Sequence, residues 1–121
     1  EGDSGPYLQY TYARARSILR RADGEGLRPS LEGESEKPEA LEHYLYRFPE
    51  ITAAAQELGA PSHLTTYLLE LGRLFNSYYA SHKVIELGSS VMQYRLALVA
   101  ASAQVLKNGL TVLGIPVIER M

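Results

Sequence analysis

The chain has 121 residues, a formal net charge of −2 and an apolar fraction of 45%. This length fits a single domain, and this apolar fraction supplies a core large enough to exclude global disorder. The absence of cysteine excludes a disulfide scaffold, a thiolate zinc site and a cysteine nucleophile, the absence of a long apolar run excludes a membrane span, and the mild acidity argues at first sight against a nucleic-acid partner.

The first predicted helix runs from about Pro6 to Ala22, since proline is tolerated in the first turn and Gly24 ends the helical pattern. Its apolar face consists of Leu8, Ala15, Ile18, Leu19 and Ala22. A second stripe, at steps of three and four residues, consists of Tyr7, Tyr10, Arg14, Ser17 and Arg21. The helix is therefore expected to present tyrosine and arginine side chains on a face other than its apolar one.

An acidic segment follows this helix. Residues 22–42 contain seven acids and two bases, a net charge of −5, so the rest of the chain carries +3. Glycine, proline and serine are frequent over residues 22–37, and such a composition cannot bury enough apolar surface to offset chain ordering. We therefore predict a solvated loop there.

A second, short helix is predicted from Pro38 to about Arg47. Pro49 interrupts the pattern and begins a third helix that ends at Gly59. The side chains expected to point inward in this region are Leu41, Tyr44, Leu45 and Phe48.

A long fourth helix is predicted from Pro61 to about Lys83. Its apolar face consists of Leu64, Leu68, Leu71, Phe75 and Tyr78, and its polar stripe of Asn76, Tyr79 and Lys83. The fifth helix covers about residues 91–113 and is apolar nearly all round, which is typical of a central position. No segment shows the alternation of a strand, so we predict an all-α bundle of about five helices, forming one domain over residues 1–121.

Motifs for catalysis are missing. No glycine-rich phosphate loop, no metal-binding histidine spacing and no nucleophile elbow occurs in the sequence. His82, near the end of the long helix, is interpreted as a histidine favoured by the helix dipole or as a surface histidine, and not as a catalytic one. The sequence therefore predicts no active site in this chain.

Several short blocks, taken in order, carry a resemblance to a known family. They are GPYLQYTYAR at 5–14, FPE at 48–50, LFNSYY at 74–79, RLAL at 95–98, VLKNGL at 105–110 and ERM at 119–121. In this order and at these distances, the chain resembles the C-terminal anticodon-binding domain of arginyl-tRNA synthetase over essentially its whole length. The first block, the VLKNGL block and the terminal ERM together make the resemblance specific.

The resemblance implies a parent enzyme that ligates arginine to tRNA(Arg) with ATP. The class I nucleotide-binding signatures are absent from this sequence, so we expect the catalytic site, with its ATP and Mg²⁺, in an upstream domain of the same chain, and no cofactor in this one. We then expect Glu1 to mark a position where a longer chain has been cut, and Met121 to be the natural C-terminus of the protein. The expected partner is the anticodon stem-loop of tRNA(Arg), and no membrane partner is expected. We expect the protein to be cytoplasmic and monomeric.

The family's anticodon contacts transfer by position to Tyr10, Arg14, Tyr79 and Met121. Asn76 and Lys83 on the polar stripe, and Arg21 on the first helix, complete the predicted tRNA-binding set. A tyrosine ring can stack on an unpaired base, and a guanidinium can meet a phosphate or a base edge. The sequence departs from the family at Tyr12, where histidine is common, and in the variable stretch 80–83.

Other interpretations of these residues remain open. An exposed tyrosine and arginine stripe also suits a helical scaffold that binds a protein, whereas a stand-alone helical enzyme fits poorly. Arg16, Arg20 and Arg21 fit either phosphate contacts or a solvated helix face. Tyrosines predicted to lie in the core or at its boundary, or to pack helices, are Tyr7, Tyr78, Tyr44, Tyr46, Tyr67 and Tyr94. Structural roles are equally open for Arg95, which could cap or bridge helices, and for Asn108, which could bond within the bundle. Gly109, in a buried helix, most simply permits close helix approach.

Overall fold

The chain folds into a helical bundle, seen in a computed structural model that describes residues 4–58 and 61–120, with side chains described outside 54–61. Within those residues the helices are α1 (Ser4–Gly24), α2 (Ala40–Leu45), α3 (Phe48–Leu58), α4 (Pro61–Ser81) and α5 (Met92–Val112). The predicted all-α fold of about five helices is confirmed. The expected end of the third helix at Gly59 lies outside the described residues.

Two of the predicted helix boundaries shift for local reasons. The second helix spans Ala40–Leu45 and is shorter than the predicted Pro38–Arg47. The fourth helix ends at Ser81, so Lys83 lies in the connection to α5. The Ser81 hydroxyl donates to the main-chain oxygens of Ser77 (3.1 Å) and Tyr78 (3.3 Å), and such bonds compete with continuation of the helix.

Three long helices form the core. α1, α4 and α5 pack against one another, α3 packs on α4, and α2 packs on α4 and α5. The predicted apolar face of α4 is confirmed, since Leu64, Leu68, Leu71, Phe75 and Tyr78 are all buried. The predicted central position of α5 is confirmed as well, because nine of its residues are buried.

α4 and α5 approach each other closely at Gly109. A Cβ added at this glycine would lie 2.5 Å from Cδ1 of Leu68, which is fully buried. Any side chain larger than hydrogen would therefore collide with the facing helix. The expectation that Gly109 permits close helix approach is confirmed.

The acidic segment is bonded to the bundle, which the prediction of a solvated loop did not include. Arg95 donates from Nε and Nη2 to the two carboxylate oxygens of Glu36, at 3.0 and 2.8 Å. The same guanidinium donates to the main-chain oxygen of Lys83 at 2.9 Å, and His82 Nε2 lies 3.0 Å from a carboxylate oxygen of Glu39. Most of the segment is exposed as predicted, but these bonds hold its second half against the end of α4. Arg95 thus has a structural role, but it joins α5 to two residues outside the helices and does not bridge two helices.

The predicted packing tyrosines are mostly confirmed. Tyr44 and Tyr67 stack with ring centroids 4.5 Å apart, and each hydroxyl donates to the other's main-chain oxygen. Tyr78 and Tyr94 are buried. The prediction for Tyr46 is wrong, because its side chain is 70% exposed on the outer face of α2 and its hydroxyl donates to Glu42.

Two smaller predictions concern surface positions. The Asn108 carboxamide accepts a hydrogen bond from Gln104 on the exposed face of α5, so it bonds along one helix and not into the bundle. His82 is half-buried and stacks on Tyr78 with ring centroids 4.0 Å apart. No helix in the described part of the chain is long and apolar enough to cross a membrane.

Candidate nucleic-acid interface

The seam between α1 and α4 brings three of the predicted site residues together. Arg14 Nη1 donates to Asn76 Oδ1 at 3.0 Å, and the Arg14 guanidinium lies over the Tyr79 ring, 5.1 Å from its centroid. Asn76 Nδ2 in turn donates to the Tyr7 hydroxyl at 3.2 Å. Arg14, a residue of α1, is thereby held against α4 by a hydrogen bond and by a cation–π contact.

The close packing of α1 on α4 determines where the Tyr7 ring lies on this seam. A Cβ at Gly72 would lie 3.0 Å from Cε2 of Tyr7, so the absence of a side chain on α4 lets the Tyr7 ring lie against that helix. Tyr7 remains 38% exposed, as a boundary residue does. Its hydroxyl then reaches Asn76 one turn further along α4. The hydrogen bonds that link Tyr7, Asn76 and Arg14 thus depend on where these residues lie along two helices in contact.

Tyr79 is half-buried on this seam. Its ring is parallel to that of Phe75, with an interplanar angle of 2° and centroids 6.4 Å apart. One part of the ring therefore packs on the core, while the guanidinium of Arg14 covers another. This packing fixes the orientation of an aromatic ring that is still partly exposed.

Tyr10 lies on the exposed stripe of α1, where its side chain is 55% exposed. It lines one open depression with Arg14, Ser17, Arg20 and Arg120. A second depression, past the end of α4, is lined by Tyr79, Lys83 and Arg21 together with the chain that follows Ser81. The structure therefore groups Tyr10 with Arg14, and Tyr79 with Lys83 and Arg21, and Arg14 joins the two groups.

The C-terminal tail crosses α1 beside this surface. The Tyr12 hydroxyl donates to Glu119 Oε2 at 2.7 Å, and Arg16 Nε donates to Glu119 Oε1 at 3.2 Å. Gln9 Nε2 also donates to the main-chain oxygen of Pro116 at 2.8 Å. Arg16 is thus engaged with the tail, which leaves phosphate contact to the neighbouring arginines. Met121, the fourth residue carried over by resemblance, lies outside the described residues.

The contact between Tyr12 and Glu119 shifts the titration of both groups. Burial first, and then the hydrogen bond to the carboxylate, raise the pKa of Tyr12 to about 12. The same hydrogen bond is the largest cause that lowers the pKa of Glu119, with the hydrogen bond from Arg16 acting in the same direction. At neutral pH the carboxylate is therefore ionised and the phenol is a hydrogen-bond donor.

This surface carries groups that suit the binding of a nucleic acid. No group of three or more acidic or histidine side chains in the described residues could hold a metal ion. The surface instead offers partly exposed rings, which stack on unpaired bases, and guanidinium groups, which bind phosphates and base edges. The sequence already offered Arg20 as a candidate for phosphate contact. It did not offer Arg120, whose position beside Arg14 and Arg20 depends on the bond between Glu119 and Tyr12. Sequence spacing carries no signal for that contact, since 107 residues separate its partners.

Comparisons with known proteins agree on one family. The DALR anticodon binding domain matches residues 8–121 of the chain. Proteins named arginine–tRNA ligase from Thermococcus kodakarensis and Clostridium botulinum are each 42% identical to the chain, and both matches cover all of it. The chain spans 20% and 22% of their respective lengths.

A solved structure shows the same architecture. The arginyl-tRNA synthetase of Thermus thermophilus matches with a TM-score of 0.78 and 34% sequence identity. The match covers 100% of this chain and 22% of that one.

Proposed function

Because the chain belongs to the DALR anticodon binding domain family, we propose that it binds the anticodon stem-loop of tRNA(Arg) along the seam between α1 and α4. The observation that carries this proposal is the position of Arg14, which bridges Asn76 and the Tyr79 ring beside the exposed ring of Tyr10. The packed, partly exposed ring of Tyr79, the guanidinium of Arg14 and the exposed ring of Tyr10 suit bases that are splayed out of a loop.

Each predicted residue receives a distinct part in this proposal. Tyr10 and Tyr79 stack on bases, and Arg14 meets a base edge or a phosphate between them. Lys83 and Arg21, which share the depression beyond α4 with Tyr79, contact the RNA backbone. Asn76 orients Arg14. For Met121, a contact with the anticodon remains a proposal that rests on the resemblance alone.

The proposal extends to the longer protein of which this domain would be part. Relatives named arginine–tRNA ligase support a parent enzyme that joins arginine to tRNA(Arg) with ATP. ATP and Mg²⁺ then belong to an upstream catalytic domain, and this domain needs no cofactor. We expect a cytoplasmic monomer in which this domain binds the anticodon loop while the acceptor end lies in the distant catalytic site.

The experiment is a titration of the 121-residue chain with two RNA hairpins, followed by fluorescence anisotropy. One hairpin carries an arginine anticodon, and the other differs only in its anticodon. We expect tighter binding of the first, and an affinity that falls with salt with a log–log slope of about 0.7–0.9 per phosphate contacted. Equal affinity for both hairpins, or a flat salt response, would refute the proposal; the flat response would favour the protein-binding scaffold.

A further inference from the structure

Three hydrogen bonds fasten the C-terminal tail to α1. They are the Tyr12 hydroxyl on Glu119, the Arg16 guanidinium on the same carboxylate, and the Gln9 amide on the main-chain oxygen of Pro116. Tyr12 is only 2% exposed, so its ring is fixed by the core and its hydroxyl has one position. Glu119 is therefore held at a defined place on α1, and with it the residue that follows.

Arg120 follows immediately and lines the same depression as Arg14 and Arg20. Within the described residues Arg120 makes no hydrogen bond or ion pair, and the contact of Arg20 with Glu119 is long, at 3.9 Å. Glu119 already accepts from Tyr12 and Arg16. The described residues that line the depression thus include three guanidinium groups and no carboxylate, so its local charge is positive.

We infer that Arg14, Arg20 and Arg120 form a binding site for a phosphate group of the RNA backbone, and that Tyr12, acting through Glu119, is the positioning residue that holds Arg120 in this site. This inference rests on the proposed function and adds to it a phosphate site next to the base-stacking residues. Arginine donors bind phosphate oxygens in a fork geometry, so an arginine fixed in advance loses less freedom on binding. The hydrogen bond between Tyr12 and Glu119 holds the chain at the residue next to Arg120, and so limits the positions that the Arg120 guanidinium has to search.

The test compares hairpin binding of the 121-residue chain and its variants across a series of salt concentrations. Arg120→Gln is expected to weaken binding of both hairpins by about three- to tenfold and to lower the salt slope by about 0.7, as loss of one phosphate contact requires. Tyr12→Phe changes no charge and keeps the buried ring. It is expected to weaken binding about two- to fivefold and to lower the salt slope as well, because Arg120 is then less well placed.

The double variant separates positioning from simple stabilisation. If Tyr12 acts through Arg120, adding Tyr12→Phe to Arg120→Gln costs little further affinity, whereas independent effects multiply. Arg47→Gln is the charge-matched control. Arg47 lies just past the end of α2, against the Tyr44 ring, and its loss is expected to leave the salt slope unchanged.

The outcomes keep this inference apart from the proposed function. If the unchanged chain does not prefer the arginine anticodon, the proposed function fails. If it does, and Arg120→Gln leaves the affinity and the salt slope unchanged, the phosphate site is refuted. If Arg120→Gln acts but the effects of the two substitutions multiply, or Tyr12→Phe leaves the salt slope unchanged, the positioning role of Tyr12 is refuted.

Discussion

At the scale of single residues, burial divides the tyrosines into two kinds. Tyr12, Tyr67 and Tyr94 are nearly inaccessible and place their hydroxyls on a partner within the bundle. Tyr10 is mostly exposed, and Tyr79 presents part of a ring whose other part packs on Phe75. The excess of tyrosine over phenylalanine therefore serves internal hydrogen bonding as well as the exposed surface.

Replacing Tyr79 tests its role in stacking. We expect Tyr79→Ala to weaken binding of the arginine-anticodon hairpin by about 1–3 kcal/mol, because a base loses its stacking partner. Tyr79→Phe should retain most of the affinity, since stacking requires the ring and not the hydroxyl. Anisotropy titration measures the affinity, and thermal melting confirms that each variant is folded.

Tyr46→Ala is the matched control for this substitution, because Tyr46 is exposed just past the end of α2 and belongs to neither α1 nor α4. It should leave the affinity for RNA unchanged. If Tyr46→Ala weakened binding as much as Tyr79→Ala, stacking at the seam would not be the cause. If Tyr79→Ala unfolded the chain, the ring would belong to the core.

At the scale of helices, the sequence predicts the fold well because α1 and α4 each carry a periodic apolar face and α5 is apolar nearly all round. Leu64, Leu68 and Leu71 follow that period and are all buried. Contacts between distant segments have no such signal. The bond from Arg95 to Glu36 and the bond from Tyr12 to Glu119 join residues 59 and 107 positions apart. For that reason the sequence identified Tyr10 and Arg14 as one face but left the tail and the acidic segment unplaced.

The close approach of α4 and α5 at Gly109 predicts that a larger residue there destabilises the fold. Gly109→Ala places a methyl group 2.5 Å from Cδ1 of Leu68, which is fully buried and cannot move into open space. Overpacking of this kind costs about 1–3 kcal/mol, more than the gain of about 0.5–1 kcal/mol from alanine in a helix. We expect a lower free energy of unfolding in urea titrations.

A second substitution checks the cause of that loss. Leu68→Ala removes the side chain that the new methyl group meets, so Gly109→Ala should destabilise a Leu68→Ala background much less than the original chain. Equal destabilisation in both backgrounds would show that the contact with Leu68 is not responsible.

The bond between Arg95 and Glu36 predicts a pH dependence of stability. The hydrogen bonds from Arg95 hold the pKa of the Glu36 carboxyl below its usual value. A lowered carboxyl pKa contributes stability that is fully present above the unfolded value of about 4.3 and is lost as the pH falls through the lower folded value. Glu36→Gln should therefore have a lower Tm than the original chain at neutral pH, and the difference should shrink below about pH 4.

The measurement is the Tm of both chains by circular dichroism across this range. The other titrating groups are common to both chains, so they largely cancel in the difference. A difference in Tm that stays constant from neutral pH to about pH 3 would show that the ion pair does not stabilise the fold.

At the scale of the whole molecule, the net charge of −2 conceals two opposite regions. The acidic segment carries −5 and the rest of the chain +3, with four arginines on α1. Three of the acidic side chains in residues 22–42 are bonded to the bundle, Glu36 to Arg95, Glu39 to His82 and Glu42 to Tyr94. A nucleic acid meets a local surface and not a sum of charges, so the acidity of the chain is weak evidence against an RNA partner.

Mapping the bound RNA onto the chain tests the central claim most directly. Amide chemical shifts of the ¹⁵N-labelled chain would be recorded during titration with the arginine-anticodon hairpin. We predict the largest changes along the exposed stripe of α1 that includes Tyr10 and Arg14, and at the end of α4 around Tyr79. Changes concentrated on α2 around Tyr46, with the stripe unaffected, would contradict the assignment of this seam as the RNA-binding surface.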